Sequence, residues 1–204
     1  MRKTLLLILF FCLGVQVWAQ FPKAIFPGDY PDPSILRDGK NYYMTHSPFY
    51  YAPGFLIWHS TDLIHWEPVC RALPEYEGSA MAPDLLKYQG RYYIYYPTST
   101  GENFVIYADN IRGPWSKPVK LDVKGIDPGH VVGEDGKRYL FTNNGWITPL
   151  SDDGLKVTGK SRKVYDGWEY PANWVTEGKD MYLESPKLLS LRPAEIPFDT
   201  MRLR

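Results

Sequence analysis

The sequence predicts an all-β fold, and three observations carry that prediction. Short apolar runs alternate with Tyr-rich runs, and turn signals separate them. No stretch shows convincing helical periodicity, and 18 Pro and 17 Gly interrupt the chain too often for long helices. Finally, the chain repeats itself. "PDPSILRDGKNYYMTHS" from Pro31, "APDLLKYQGRYYIYYPTS" from Ala82 and "IDPGHVVGEDGKRYLFTNN" from Ile126 share one order of parts. Each has an Asp beside a Pro, a short apolar strand, a Gly-containing turn, a basic residue and a Tyr-rich strand.

The first nineteen residues stand apart from these repeats. Arg2 and Lys3 precede an apolar core from Leu5 to Leu13, and Val17 and Ala19 are small residues ahead of Gln20. This is the pattern of a secretory signal peptide, too short for a comfortable membrane span. Phe11 is a poor residue to precede a lipidated cysteine at Cys12. Cleavage near Ala19 predicts a secreted or periplasmic protein with no membrane association after processing. It also takes the basic count from 23 to 21 against 23 acidic residues, a formal charge of −2. Such a balance points to no nucleic-acid partner. One cysteine remains, Cys70, so the mature chain has no internal disulfide and depends on packing.

The repeats begin at Asp32, Asp84 and Asp127, and a fourth starts at Glu184 in "LESPKLLS"; the separations are 52, 43 and 57 residues. Turns are expected at Asp38-Gly39, Gln89-Gly90 and Asp135-Gly136, the dipeptides that close tight hairpins. A hairpin repeat of about 40 to 50 residues is the signature of a β-propeller blade of four strands. In the first repeat the four strands are expected at 33–37, 41–47, 55–60 and 66–70. The innermost strand of each blade runs beside the central axis. Acidic residues at matching positions would therefore face one another across a funnel, where like charges shift each other's proton affinity. Asp32, held between Pro31 and Pro33, has little backbone freedom to lose on being fixed there.

The ordered set "YPDPSI", "SPFYYAPGFLIWHSTDLIHW", "APDLLKYQGRYYIYYPTS", "NIRGPW", "GIDPGHVV" and "LESPKLL" resembles glycoside hydrolase family 43, over about Phe26 to Ser190. The resemblance implies a five-bladed propeller. It also implies hydrolysis of arabinose-, xylose- or galactose-containing glycans with inversion, and no cofactor or metal. By the same resemblance Asp32 is the general base, Asp127 tunes and orients the acid, and Glu184 is the general acid. An inverting hydrolase needs a carboxylate to activate water and a carboxylic acid to protonate the leaving oxygen, about 6.5–9.5 Å apart. Glu177 competes for the acid role but lacks the following Pro and apolar strand. Phe49, Met81, Asp84 and Trp146 are the candidate substrate-binding residues. For Asp84 a structural or supporting duty is favoured over contact with a sugar hydroxyl, whereas Phe49 and Trp146 could equally serve the fold. His130 could reach the channel, but a lone His is no metal site.

Two departures from the family pattern stand out. Met81 occupies a position where many members carry Trp, replacing a flat stacking face with a flexible thioether. After Glu184 the text becomes "LRPAEIPFDTMRLR", without alternation or a Gly turn. The expected organisation is a signal peptide at 1–19, a partial propeller at 20–190 with about three complete blades and the start of a fourth, and an irregular tail at 191–204. A truncated or frameshifted reading frame is the expectation for that tail. A non-catalytic glycan-binding propeller or truncated pseudoenzyme is the alternative to an active hydrolase.

Overall fold

In each repeat a turn folds a short apolar run back onto a Tyr-rich one, and two further strands extend the sheet outward. The computed structural model describes residues 24–164, apart from Phe26 and Glu77. The first sheet contains β1 (Ser34–Asp38), β2 (Asn41–Thr45), β3 (Gly54–Ser60) and β4 (Glu67–Leu73) in sequential antiparallel order. The second contains β5 (Asp84–Tyr88), β6 (Arg91–Pro97), β7 (Asn103–Ala108) and β8 (Val119–Leu121). The third contains β9 (Gly129–Val132), β10 (Arg138–Thr142), β11 (Trp146–Pro149) and β12 (Arg162–Lys163). A 3₁₀ turn at Asn143–Gly145 is the only helical element among the described residues. The four strands expected in the first repeat are all present, with the last running on to Leu73.

The hairpins differ in detail from the expected turns. Gln89 and Gly90, with φ of 48° and 86°, form the two-residue loop expected of paired left-handed residues. In the first blade Asp38 is still in the ladder, opposite Asn41, and the loop is Gly39-Lys40. In the third, Arg138 pairs with Val132, so Asp135-Gly136 lies inside a five-residue loop that is closed by the Gly133 N–H donating to the Lys137 carbonyl.

The Tyr-rich strand of the second blade explains how the sheets stack. Along β6, Tyr92, Ile94 and Tyr96 pack with the first blade around Phe55, Ile57 and Leu36. Tyr93 and Tyr95 point the other way and pack with the third blade around Leu140 and Leu150. The two-residue side-chain period thus divides one strand between two interfaces, and β6 reads as a continuous buried run because both its faces are covered. Full burial of an aliphatic or aromatic side chain contributes about 1.5–3 kcal/mol. These two clusters are therefore the main stabilising term of the stack.

Hydrogen bonds between blades set the register at the axis. Ser34 Oγ accepts the Leu85 N–H at 2.9 Å, and Asp84 Oδ2 accepts the His130 N–H at 2.6 Å. The first residue of one inner strand thus receives the second backbone N–H of the next. This device shows that Ser34, Asp84 and Gly129 are equivalent, which corrects the alignment of Asp84 with Asp32 and Asp127. The residue equivalent to those two is Ala82. All three precede a proline (Pro33, Pro83, Pro128), and their φ angles of 52°, 36° and 55° share the left-handed region.

A second buried device joins blades two and three. The Arg138 guanidinium is 1% exposed and lies 4.4 Å and 4.5 Å from the ring centres of Tyr88 and Tyr93. Its N–H groups donate to His130 Nε2 (2.9 Å), Tyr95 Oη (3.1 Å) and the Asp152 carbonyl (3.1 Å). Two aromatic faces and three acceptors replace the water this cation loses. The His130 ring stacks on Tyr95 at 5.9 Å, and its position as acceptor for Arg138 requires the neutral form. Burial first, and the Arg138 charge second, push its pKa down to about 3 from 6.5.

That shift has a sign. The unfolded chain takes up a proton at His130 as pH falls through about 6.5, and the folded chain refuses it until about pH 3. Stability is therefore full above pH 6.5 and falls by about 1.4 kcal/mol per pH unit below it. His130→Gln keeps an acceptor for Arg138 but cannot titrate. Denaturant titrations should show the wild type losing about 2 kcal/mol more than His130→Gln between pH 7 and 5. Parallel losses in the two proteins would place the acid sensitivity elsewhere.

Candidate active site

The candidate site lies where the inner strands begin. Asp32 and Asp127 each stand two residues ahead of an inner strand, β1 or β9, at the same position of the repeat. The stacking therefore carries both to one end of the sheets. Between them the second blade presents Ala82, not a carboxylate. Asp32 is exposed and Asp127 half-buried. Ser47 Oγ donates to Asp32 Oδ2 at 2.6 Å and accepts the Ala82 N–H of the next blade at 2.6 Å. The loop ahead of Asp127 is held by Asn103, whose Nδ2 donates to the Val123 and Gly125 carbonyls at 3.1 and 2.8 Å. Asn143 Oδ1 also accepts the Ile126 N–H at 3.0 Å.

The remaining candidates separate into two groups. Phe49 is half-buried, and its N–H donates to the Ala80 carbonyl at 3.0 Å, tying the loop after β2 to the segment that carries Met81. A cavity of about 450 Å³ has Pro31, Ser47, Phe49, Tyr51, His46 and Trp58 among its walls, and Asp32 itself is not one of them. Its size suits one or two sugar units and its lining is mainly aromatic and apolar. Met81 is half-buried, and its N–H donates to the Pro97 carbonyl at 2.9 Å. Trp146 is half-buried at the head of β11, and the Lys124 ammonium lies 4.8 Å from its ring centre.

Asp84 belongs to the other group. It is 3% exposed, and its carboxylate holds the His130 backbone, so its demonstrable duty is to join blades two and three. His130, 8% exposed and bonded to Arg138, is a packed core residue rather than a channel ligand. Among the described residues, no three His, Cys, Asp or Glu side chains gather as a cation site would require. Glu184, Glu177, the segment 1–19 and the tail 191–204 lie outside the described residues. Ser47, Asn143 and Ser34 were not among the sequence-derived candidates. The alignment of Pro33, Pro83 and Pro128 is the signal that would have found them.

Blades of sequential antiparallel strands, stacked about their innermost strands with carboxylates at the same inner end, define a β-propeller with a polar axial site. The chain belongs to the glycosyl hydrolases family 43, whose sequence profile matches residues 21–187. It is 33% identical over 184 residues to a xylosidase/arabinosidase of Butyrivibrio fibrisolvens, a match covering 78% of this chain and 35% of the relative. It is 34% identical over 137 residues to a non-reducing end α-L-arabinofuranosidase of Bacteroides ovatus, covering 60% and 26%. Among solved structures, a xylan β-1,4-xylosidase from Bacillus Halodurans superposes with a TM-score of 0.64 at 30% identity, covering 74% of this chain and 34% of the other. The matched part of the chain thus spans about a quarter to a third of the length of these relatives.

Proposed function

We propose that this chain carries the three carboxylates of an inverting glycoside hydrolase acting on xylose- or arabinose-containing glycans. The observation that carries the proposal is the recurrence of a carboxylate, Asp32 and Asp127, at one repeat position on the axial end of the blades. Asp32 removes a proton from water as that water attacks the anomeric carbon. Glu184 donates a proton to the departing glycosidic oxygen, and Asp127 favours the protonated acid. Phe49 and Met81 offer apolar walls to the sugar, and the polar groups at the axis select its hydroxyls. The two relatives named above are described as xylosidase/arabinosidase and arabinofuranosidase, which supports these sugars ahead of galactose. A reaction outside the cytoplasm is part of this proposal, supported by the signal-like composition of residues 1–19.

The test is an assay of the full-length protein on aryl xylosides, arabinofuranosides and galactosides, with the first-formed anomer read by proton NMR. Turnover with inverted product is expected on the xyloside or the arabinofuranoside. A retained anomer would overturn the mechanism. Binding of xylo-oligosaccharides without turnover would replace the hydrolase by a glycan-binding propeller.

A further inference from the structure

We infer that Ser47 is the positioning residue of the base, locking Asp32 Oδ2 so that Oδ1 is the oxygen that takes the proton from water. The inference rests on the hydrolase reading for its catalytic meaning, but its geometry stands independently. Ser47 is 3% exposed, and its hydroxyl has two partners, both at 2.6 Å. One is the Ala82 N–H, which can only donate. The hydroxyl hydrogen must therefore go to the other partner, the Asp32 carboxylate, which can only accept when ionised. Direction is fixed along the whole relay: backbone amide of blade two, hydroxyl of blade one, carboxylate.

Asp32 needs such a partner because its own surroundings leave its side chain free to turn. Pro31 and Pro33 restrict the backbone on either side, yet the side chain is exposed and its carboxylate rotates about a broad, two-fold torsion. A charge-assisted hydrogen bond from a buried, already anchored hydroxyl removes that freedom. With Oδ2 held, the water donates its proton to Oδ1 while its oxygen bonds to the anomeric carbon. The glycosidic C–O bond breaks, and its electron pair leaves on the oxygen that receives the Glu184 proton. Charge and protons balance without another reactant.

The other two blades act as internal controls. In blade three the Asn143 N–H donates to the Ile126 carbonyl, as the Ser47 N–H donates to the Pro31 carbonyl, both at 2.9 Å. Asn143 is therefore the counterpart of Ser47, and it too spends its side chain on the segment bearing the carboxylate, through the Ile126 N–H. In blade two the repeat position is Ala82 and the residue across from it is Pro97, which brings no polar side chain. Among the described blades, a polar side chain just past the second strand, Ser47 or Asn143, thus accompanies the carboxylate in the two that have one and is missing from the one that has none.

The experiment has two arms. In nitrogen-15 NMR spectra of the full-length protein, Asp32→Asn should displace the Ala82 amide resonance in the Ser47 background and leave it in place in the Ser47→Ala background. An unmoved amide in the first case, or an equal shift in both, would overturn the relay without reference to activity. In the full-length protein, Ser47→Ala should lower kcat about 10-fold with KM changed less than about 3-fold, and Ser47→Thr should restore most of the loss. In the Asp32→Asn background, Ser47→Ala should cost nothing further, since the two act as a unit. An additive loss would show that Ser47 acts through something other than Asp32. A fully active Asp32→Asn protein would instead remove Asp32 from the base role, and absence of turnover in the unmutated protein would remove the hydrolase reading; in either case the NMR arm would still decide the relay.

Discussion

Asp32→Asn should reduce kcat of the full-length protein by about two to four decades, with little change in KM or thermal midpoint. The amide is nearly the shape of the carboxylate. It can still accept the Ser47 hydroxyl, so the fold is kept, although without the carboxylate's charge that link and the Ala82 bond behind it are weaker. What disappears is the ability to accept a proton from water. Without that transfer, water attacks as a neutral nucleophile and the developing positive charge on its oxygen goes unrelieved. Initial rates on an aryl xyloside, together with a melting curve, check the expectation. A loss below about tenfold in a properly folded variant would remove Asp32 from the base role, whatever its position.

Glu184→Gln should separate substrates by their leaving groups. On natural glycosides and on aryl glycosides with poor leaving groups, the departing oxygen needs a proton as the bond breaks. The expected loss there is again about two to four decades. On strongly activated aryl glycosides the departing phenolate is stable unprotonated, and the loss should fall to about tenfold or less. A plot of log rate against leaving-group pKa is therefore expected to steepen in the variant. An unchanged slope with a uniform loss would argue against Glu184 as the acid and return Glu177 to consideration.

The strands of the first repeat could be located from alternation and turns because those signals are local. Two of the hairpins were displaced or lengthened because a Gly after an Asp does not specify where the ladder stops; Asp38 pairs with Asn41 before the chain turns. Met81, Phe49 and Trp146 were visible as apolar residues near the motifs, but their partners were not. The largest error was the alignment of Asp84 with Asp32 and Asp127, although a structural duty for it was the favoured reading. Its place beside Pro83 made it look like Asp32 and Asp127, yet it follows its proline where they precede theirs, and that reversal sends it into the blade interface. Arg138 gave no warning either, because a basic residue after a turn is ordinarily solvated, whereas here two tyrosines and a neutral His130 replace the solvent.

By itself the sequence determined the all-β class, the repeat of blades and the carboxylate-bearing motifs at 32, 127 and 184, because side-chain alternation, turn chemistry and residue identity are properties of neighbours along the chain. Only the tertiary structure decided which face of the second blade's Tyr-rich strand meets which blade, that Ala82 rather than Asp84 is the residue equivalent to Asp32 and Asp127, and where the Ser47 hydroxyl sends its hydrogen. Those outcomes depend on hydrogen bonds between residues 35 to 51 positions apart, such as Ser47 with Ala82 and Ser34 with Leu85. Such bonds form only once stacked sheets bring buried donors and acceptors together out of reach of water, where each must find the partner the neighbouring blade supplies.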